Sequence, residues 1–340
     1  MKILITGSTG FIGKRLTKSL LAEGHELFLL IRRGSLHKAR DLFEEHPKLH
    51  FVMGDLTNND VIDQVSSAQI LESGIEHVLH LAASYDLNVN LTDAYLTNVV
   101  GTQNLLFLLQ KLKGLKYFHY VSTYAVSGNY EGTFYEDQIG GNTVFTDHYS
   151  RTKMQAELLV RNADLKGAKL RIYRPGIVVG DSKTGEMDKV DGPYYFFRFF
   201  KELKKWTDKV PVPVLPLSFN AGATLPFIPV DTIVDWFVEM ISHPTDHTQR
   251  VYHLLPQEKI SIYTFLKESF EVFEIKMEVQ RVPYPALYSK LLPLFKIPAQ
   301  VGPYMESKTR YSMKNLKEDF PEFKAPKLRE YLRTLIERDL

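Results

Sequence analysis

The sequence predicts an α/β protein built on a doubly wound parallel sheet, with a smaller C-terminal lobe. Two features predict this fold. Continuous apolar runs of strand length alternate with helical segments, which is the pattern of parallel strands buried on both faces. The first run ends at Thr6 and is followed by Gly7, Gly10 and Gly13, where a helical pattern begins. A strand, a glycine turn and a helix start, in that order, form the first unit of such a sheet.

The apolar runs and turn residues place the elements along the chain. Strands are predicted up to residue 6 and at 26–31, 49–53, 77–81, 116–121 and 169–173. Helices are predicted at 36–45, 61–71, 92–112 and 149–160, and a long loop at 128–147. Further on we expect a helix at 192–206. A strand at 225–230 and a helix at 231–241 are expected to return to the sheet, followed by a strand at 250–255. Residues 257–340 mix short helices with proline-rich turns.

The composition excludes several classes of protein. The 340 residues carry 42 basic and 40 acidic side chains, so a net charge of +2 gives no reason to expect nucleic-acid binding. The absence of cysteine excludes disulfides and thiol catalysis, and no HExxH or similar spacing indicates a metal ion. No apolar run approaches the roughly 20 residues of a membrane-spanning helix, and no leader pattern precedes the first strand. We therefore expect a soluble, cytoplasmic protein without a metal.

The glycine turn predicts a phosphate-binding site. A turn without Cβ atoms lets the backbone approach a pyrophosphate closely, and the N–H groups at the start of the helix favour an anion. The residues expected to make these contacts are Gly7, Thr9, Gly10, Phe11, Ile12 and Gly13. The alternative, a plain strand–helix turn, is disfavoured by the context of strand, turn and helix.

A tyrosine and a lysine four residues apart predict acid–base chemistry. Tyr149 and Lys153 share one face of a predicted helix. A free tyrosine titrates at about 10, but a neighbouring ammonium stabilises the phenolate and lowers the pKa, which suits proton transfer near neutral pH. Lys153 could also hydrogen-bond a ribose hydroxyl. Such pairs occur by chance on many surface helices, so the position of this pair in the fold determines whether it is catalytic.

Two hydroxyl residues, Ser122 and Thr123, end the strand that precedes this helix. The carboxyl ends of strands in open α/β sheets are where ligands bind, so these hydroxyls could orient a substrate carbonyl toward Tyr149. The alternative is that they cap a helix or turn. For Ser122 we give capping the same weight as a ligand-orienting role, and for Thr123 we give capping less weight.

As an ordered set, these residues resemble the extended short-chain dehydrogenase/reductase family. The motifs are Gly7, Gly10 and Gly13, Asp55-Leu56, Leu81-Ala82-Ala83, Asn98, Ser122-Thr123, Tyr149 with Lys153, and Arg174-Pro175-Gly176. The resemblance covers the first two-thirds of the chain. It implies a Rossmann fold, a nicotinamide dinucleotide as hydride donor, and Thr123, Tyr149 and Lys153 as the catalytic triad.

The resemblance also implies where the cofactor lies. It places Asp55 and Leu56 beside the adenine, with Leu81, Ala82, Ala83 and Ser122 lining the cofactor. Pro175, Gly176 and Val178 would contact the nicotinamide end, and Asn98 would support the active site. Residues 1–181 with about 224–256 would form the NADP-binding domain, and about 182–223 with 257–340 the substrate lobe. The resemblance further suggests a homodimer packed through helices near 92–112 and 149–164.

The end of the second strand predicts the choice of dinucleotide. Rossmann sites that prefer NAD usually have an acid there, which binds the ribose 2′-hydroxyl, whereas arginine accommodates a 2′-phosphate. This chain has Arg32 and Arg33 and no acid. We therefore predict NADP(H) as the cofactor. The alternative is a pair of solvated arginines.

The stretch 173–197 closely resembles the reductase domain of bacterial fatty acyl-CoA reductases. His80-Leu81-Ala82-Ala83 with Tyr85-Asp86, Gly132-Thr133-Phe134 and Glu136-Asp137 resemble the same group. Those enzymes make fatty aldehydes or alcohols from acyl thioesters with NADPH, and some relatives carry two reductase domains where this chain has one.

Aromatic residues after Gly192 are consistent with an apolar substrate. Tyr194, Tyr195, Phe196, Phe197, Phe199 and Phe200 surround most of one predicted helix, which must be buried or line an apolar channel. Packing within the lobe explains them equally well. Leu287, Leu291, Leu292, Leu294 and Phe295, with Lys290 and Lys296, could make at most a weak membrane-surface contact, and core packing is the commoner role for such a segment.

The main prediction is an NADPH-dependent reductase of a long-chain acyl substrate. Its Tyr149 protonates the carbonyl oxygen, Lys153 tunes Tyr149, and Thr123 holds the oxygen. A second reading is a nucleotide-sugar epimerase or hydroxysteroid-type dehydrogenase on the same scaffold. A third is a cofactor-binding regulator without catalysis, which Tyr149 and Lys153 argue against. His77, His80 and His119 lie in strand-like runs and are predicted to be packed.

Overall fold

A seven-stranded, wholly parallel sheet forms the centre of the molecule, in the order β11-β7-β5-β4-β1-β2-β3. The computed structural model describes residues 1–339 apart from 64–66, 68–69, 86–88, 142, 189–191, 210–212, 284–286, 288–289 and 291. Asp86, Leu291, residues 189–191 and much of the helix predicted at 61–71 therefore lie outside the described residues. The strand order reverses between β1 and β4, and at such a switch point the crevice at the carboxyl ends of the strands binds ligands. The predicted doubly wound α/β fold is confirmed.

The strands of the main sheet follow one another along the chain in the order that the apolar runs predict. The strands are β1 Lys2–Thr6, β2 Glu26–Ile31, β3 Leu49–Met53, β4 His77–His80, β5 Tyr117–Val121, β6 Gly132–Phe134, β7 Lys169–Pro175, β8 Ile177–Val179, β9 Val214–Leu217, β10 Phe227–Pro229, β11 Gln249–Leu254, β12 Glu278–Arg281 and β13 Thr309–Tyr311. The described α-helices are α1 Phe11–Ala22, α2 Leu36–Leu42, α3 Leu91–Tyr95, α4 Gly101–Leu109, α5 His148–Arg161, α6 Tyr194–Thr207, α7 Val230–Ser242, α8 Ile262–Phe273, α9 Gly302–Met305, α10 Lys314–Asp319 and α11 Leu328–Asp339. A π-helical turn, Leu96–Val100, joins α3 to α4.

Helices cover both faces of the sheet, which explains why its strands are apolar without alternation. Helices α1 and α7 pack on one face, and their core includes Leu16, Leu20 and Phe237. Helices α4 and α5 pack on the other, with Leu105 and Val160 among the buried side chains. Because both faces are removed from water, strand residues pointing either way are mostly apolar.

Three sequence-based element assignments are wrong. The strand predicted at 225–230 is β10, which pairs with β8 in a separate two-stranded sheet. The chain leaves the main sheet at Gly176, where a Cβ would lie 2.2 Å from the carbonyl oxygen of Pro226. The loop predicted at 128–147 contains β6, which pairs with β13 from the far end of the chain. The helix predicted from residue 61 cannot begin there, because Ile62 forms a β-bridge with Gly54.

A second, largely helical core lies beyond the sheet and corresponds to the predicted lobe. Its buried side chains come mainly from α6, α8 and α11, and include Phe200, Phe265 and Leu332. The predicted domain boundaries remain a prediction. Helix α10, however, packs on the sheet: Leu316 is buried with the α1 and α7 core, and Arg250 of β11 binds the Asp319 carboxylate at 2.8 Å. In the described part of the chain, no helix combines the length and apolarity needed to cross a bilayer.

Candidate active site

The glycine turn after β1 is held in a shape that only glycine fits. Gly7 has a φ of +77°, and a Cβ there would lie 2.5 Å from the backbone nitrogen of Ala82. A Cβ on Gly13 would lie 2.1 Å from the carbonyl oxygen of Gly7. The turn therefore packs directly against the start of α1 and the end of β4. Any larger residue at Gly7 or Gly13 would have to displace the backbone.

The start of α1 is open to an anion. Gly10 is the N-cap of this helix, no side chain caps it, and its first turn carries no acidic residue. The hydroxyl of Ser8 is fully buried and has no hydrogen-bond partner within the described residues. Uncapped N–H groups with a positive dipole end suit a phosphate, so the turn fits the pyrophosphate of a dinucleotide.

A cleft of about 630 Å³ runs from this turn across the carboxyl ends of the strands. It brings together almost all the residues predicted to bind a cofactor. Those lining it are Gly7, Thr9, Gly10, Phe11, Ile12, Gly13, Arg32, Asp55, Leu56, Leu81, Ala82, Ala83, Ser122, Tyr149, Lys153, Pro175, Gly176 and Val178, together with Thr123. Arg33 is the exception, because it lines an adjoining hollow.

Arg32 and Arg33 are both exposed at the end of β2 and enter a short 3₁₀ turn, Arg33–Ser35. Arg32 and Ser35 face the cleft. The adjoining hollow combines Arg33 with carboxylates of Asp55, Asp60 and Asp63. One oxygen of Asp55 is already engaged by the backbone N–H and the hydroxyl of Thr57, at 2.9 and 2.8 Å. The dinucleotide end of the cleft is therefore mixed in charge, with arginine nearest to the cleft itself.

Lys153 lies beneath the carboxyl end of β5, one helical turn after Tyr149 on α5. Its Nζ donates a hydrogen bond to the carbonyl oxygen of Val121 at 2.7 Å and lies 4.4 Å from the centre of the Tyr120 ring. Burial lowers the pKa of Lys153 from 10.5 to about 7, although Glu157 favours the charged form. An ammonium that titrates near neutral pH can change its charge during a reaction cycle.

The two hydroxyl residues after β5 make different contacts. Thr123 is the N-cap of the 3₁₀ turn Tyr124–Ser127, and its Oγ1 accepts from the N–H of Ala125 at 3.3 Å. The hydroxyl of Ser122 instead donates to the Glu157 carboxylate at 2.5 Å. Capping, which we weighed higher for Ser122, is therefore found for Thr123. Both residues still line the cleft.

A buried ionic network, which the sequence does not reveal, links the ends of three strands. The Glu157 carboxylate accepts from Arg174 at 2.7 and 3.1 Å, from Arg161 at 2.9 and 3.0 Å, and from Ser122. Arg174 also contacts Nε2 of His253 at 3.0 Å. Burial alone would raise the pKa of Glu157, but Arg174, Arg161 and Ser122 outweigh it and hold that pKa well below the usual range. The acid and the arginine could be recognised only as isolated residues in the sequence, because their contact joins α5 to β7.

Asn98 ties the cleft wall to helix α5. It lies in the π-helical turn, where its Nδ2 donates to Ser84 and to the hydroxyl of Thr152 at 3.1 and 3.0 Å. Its Oδ1 accepts from the N–H of Ser84 at 2.8 Å. Single π turns inside α-helices frequently occur at functional sites. Thr152 is on α5 between Tyr149 and Lys153, so Asn98 is in position to support both.

The three histidines in the strand-like runs are buried and hydrogen-bonded. His80 contacts Thr6 and Thr102 at 2.6 and 3.1 Å, and burial lowers its pKa to about 3. His77 and His119 contact each other at 3.1 Å, and His119 also contacts the Tyr173 hydroxyl at 2.8 Å. Within the described ranges no cluster of His and carboxylate side chains could hold a metal ion, and the expectation of no metal stays a prediction.

The far end of the cleft is apolar, but the aromatic helix contributes less than expected. Of its six aromatic residues, Phe196 lines the cleft, whereas Tyr194, Phe197 and Phe200 are buried in the lobe core. The other apolar lining residues were not singled out from the sequence. They include Phe227, Ile262, Phe265, Leu266, Val301 and Met305. No shared sequence pattern could have identified them, because they come from three separate segments of the chain, at 227, 262–266 and 301–305.

A further tyrosine, Tyr304 of α9, also lines the cleft. Its hydroxyl donates to the Asp147 carboxylate at 2.8 Å and lies 3.0 Å from the hydroxyl of Ser150. Asp147 is the N-cap of α5 and accepts from the N–H of Ser150 at 2.7 Å. The lobe and the start of the helix that carries Tyr149 are thus joined at one carboxylate.

Residues 5–236 match a family model described as male sterility protein, an NAD-binding family. Among curated proteins, the chain is 33% identical over 305 residues to 3 beta-hydroxysteroid dehydrogenase/Delta 5→4-isomerase of Mycobacterium tuberculosis, covering 84% of this chain and 73% of that protein. It is 28% identical over 283 residues to fatty acyl-CoA reductase 1 of Xenopus laevis, covering 68% of this chain and 53% of that protein. It is also 26% identical over 237 residues to the NRPS-like oxidoreductase fscA of Fusarium equiseti, covering 64% and 22%. The chain thus spans about half, or less, of the length of several relatives it matches.

Solved structures share the fold at low identity. The terminal R domain from the myxalamid PKS-NRPS pathway has a TM-score of 0.77 and 21% identity, covering 99% of this chain and 89% of that one. UDP-glucuronic acid 4-epimerase from Bacillus cereus has a TM-score of 0.69 and 19% identity, covering 100% and 99%. At these identities the likeness concerns the fold alone.

Proposed function

The chain belongs to the extended short-chain dehydrogenase/reductases, in the NAD-binding family described as male sterility protein, and from this premise we propose that it reduces long-chain acyl carbonyl compounds with NADPH. The observation that carries the proposal is the continuity of the cleft. It leads from the glycine turn, past Thr123, Tyr149 and Lys153, to an apolar end that includes Phe196 and Phe265. A dinucleotide at the first end and an aliphatic chain at the second would meet at the Tyr149 hydroxyl.

The proposed chemistry assigns one task to each residue at that meeting point. The nicotinamide, when bound, supplies the hydride for the carbonyl carbon. Tyr149 donates a proton to the carbonyl oxygen, which Thr123 holds by a hydrogen bond. Lys153, when charged, favours the phenolate that Tyr149 leaves after the transfer. Reduction of an aldehyde ends at the alcohol, whereas a thioester would release its thiol and give the aldehyde.

The preference for NADPH is supported by Arg32, which is exposed at the mouth of the cleft, and by the absence of an acid at the end of β2. A guanidinium binds a phosphate through two parallel hydrogen bonds. Asp55 lies on the neighbouring strand end, where the resemblance assigns it to the adenine, so it does not take the place of an acid on β2.

A second candidate is oxidation of a hydroxysteroid. The match to the mycobacterial 3 beta-hydroxysteroid dehydrogenase/isomerase favours it, because that match covers most of both chains. The apolar end of the cleft would suit a steroid as well as an acyl chain. A nucleotide-sugar substrate is less well supported. Among the described residues that line the cleft, the basic side chains are Arg32 and Lys153, which leaves none for a second diphosphate.

One substrate panel separates these candidates. The purified protein is incubated with NADPH or NADH and long-chain acyl-CoAs or fatty aldehydes, or with NADP+ or NAD+ and hydroxysteroids, and oxidation or reduction of the dinucleotide is followed. UDP-sugars are incubated with each dinucleotide, and conversion of the sugar itself is measured, because epimerisation consumes no dinucleotide. We expect turnover with NADPH and an acyl-CoA or a fatty aldehyde. Turnover confined to steroids would establish the second candidate, and dinucleotide binding without any turnover would favour a regulator.

We also propose a homodimer and at most a weak membrane contact, acting in the cytoplasm. Helices α3 and α4 expose Leu91, Tyr95 and Phe107, which supports a paired helical interface. In the lobe, Leu287, Leu294 and Phe295 are exposed, the last two beside Lys296, whereas Leu292 is buried. So small an exposed apolar patch supports only peripheral contact with a bilayer.

A further inference from the structure

Tyr304 joins two parts of the molecule that the proposed reaction uses separately. Its ring and its neighbours Val301 and Met305 line the cleft, and Met305 is buried in the lobe core. The segment is fastened to the lobe, because the carbonyl oxygen of Met305 accepts from Asn220 at 3.0 Å and Glu306 accepts from Ser218 at 3.2 Å. A ligand that presses on Val301 or Met305 would therefore act on the same short helix that holds Tyr304.

The other end of the contact is the start of the catalytic helix. Asp147 is buried, and its two oxygens are shared between α5 and the lobe. Oδ1 accepts from the N–H of Ser150, and Oδ2 accepts from the hydroxyls of Ser150 and Tyr304. Tyr149 lies between Asp147 and Ser150 in the sequence, so movement of this cap moves Tyr149.

The hydroxyl of Tyr304 acts as a donor in this arrangement. Burial, and then the neighbouring Asp147 carboxylate, raise the pKa of Tyr304 well above 10, so the phenol keeps its proton. The hydroxyl already donates this proton to the Asp147 carboxylate, with 2.8 Å between the two oxygens, which makes Tyr304 a poor proton donor for a substrate. Its role is geometric, as a strut between α9 and the N-cap of α5.

We propose that Tyr304 is a positioning residue that couples filling of the apolar end of the cleft to the placement of Tyr149. The inference rests on the proposed function, since it takes the apolar end to hold an acyl chain. A chain long enough to contact Val301 and Met305 fixes the position of α9. Through the Tyr304 hydroxyl, α9 then fixes the position of Asp147 and of the first turn of α5. A short substrate leaves α9 untouched and gains nothing from this contact. Misplacement of a catalytic group by about 1 Å can cost about 100-fold in rate, so the loss of this single contact can lower the rate measurably.

The test compares Tyr304→Phe with Tyr311→Phe in the full chain. Each substitution deletes one oxygen, and Tyr311 is a matched control because its hydroxyl contacts Ser127 and not α5. With hexadecanal and NADPH, we expect Tyr304→Phe to lower kcat at least tenfold with an unchanged KM. With butanal its kcat should stay within about twofold of the wild type, and Tyr311→Phe should match the wild type with both aldehydes.

Amide hydrogen exchange supplies a readout that needs no turnover. Peptides that span Asp147 to Thr152 should exchange faster in Tyr304→Phe than in the wild type or in Tyr311→Phe. An equal loss of kcat for both aldehydes, or unchanged exchange in these peptides, would overturn the coupling. If the wild type reduces no aldehyde, the proposed function fails, and the exchange experiment still decides whether Tyr304 holds the catalytic helix.

Discussion

The Nζ atom of Lys153 donates a hydrogen bond to the carbonyl oxygen of Val121 at 2.7 Å, at the carboxyl end of β5. Because Ser122 and Thr123 follow Val121 directly, this contact places the lysine charge beneath the strand end at which the substrate oxygen would be held. It also takes the ammonium out of water. Burial lowers the pKa of Lys153 to about 7, so its charge depends on pH in the physiological range.

Lys153 therefore predicts a pH limit on activity. The ammonium is charged below its pKa of about 7 and loses its proton as the pH rises through that value. We expect kcat/KM for the dinucleotide, which reports the free enzyme, to fall about tenfold per pH unit on the alkaline side. Lys153→Arg keeps a charge at all accessible pH values, so the fall should move upward by several pH units. The assignment is wrong if the alkaline limb of Lys153→Arg coincides with that of the wild type.

Arg32 and Arg33 predict how the dinucleotides are distinguished. Replacing both by Ala should raise the KM for NADPH about 10- to 100-fold, the value of one or two charge-assisted hydrogen bonds, and leave that for NADH unchanged. Arg32→Ala should have the larger single effect, since Arg32 lines the cleft and Arg33 the adjoining hollow. The exposed Arg40 of α2 is a matched control. Equal wild-type affinities for the two dinucleotides, measured by titration, would rule out the preference.

The Glu157 network predicts an effect on stability. Glu157→Gln leaves Arg174 buried without its counter-charge and should cost about 3 kcal/mol in the free energy of unfolding, measured by urea denaturation. Because Arg174 and Arg161 hold the pKa of Glu157 below its ordinary 4.5, the wild type should lose stability as the pH falls through and below that value. The variant should lose this slope. Glu202→Gln, at an exposed ion pair with Lys205, should have the same free energy of unfolding as the wild type. Equal stability of the two variants would contradict the role given to Glu157.

The exposed face of α3 and α4 predicts a dimer interface. Phe107 is 53% exposed on α4, and a glutamate there would have to be desolvated in any interface that covers it. We expect the mass of a dimer for the wild type by light scattering, and that of a monomer for Phe107→Glu. Tyr263→Glu, at an equally exposed site on α8 in the lobe, should remain dimeric. A monomeric wild type, or a dimeric Phe107→Glu variant, would exclude this interface.

The residues that could be predicted from the sequence are those whose role depends on local pattern. The glycine turn and the Tyr149–Lys153 spacing are written in fewer than ten consecutive residues, and the cleft brings both together. The role of Ser122 could not be foreseen, because it depends on Glu157 from another element. The same holds for the apolar lining, since Phe227, Ile262 and Val301 meet only in the folded lobe. Strand β6 was missed because its partner β13 lies far along the chain.

The role of Tyr149 is the centre of the account, and the most direct test is a single-turnover reaction of Tyr149→Phe with bound NADPH and a fatty aldehyde or acyl-CoA. Because Phe keeps the ring and removes only the proton donor, we predict a dinucleotide affinity within about twofold of the wild type and hydride transfer slowed at least 100-fold, as expected for a lost general acid. Tyr263→Phe, at an exposed tyrosine outside the cleft, should react like the wild type. Hydride transfer by Tyr149→Phe at the wild-type rate would contradict the mechanism.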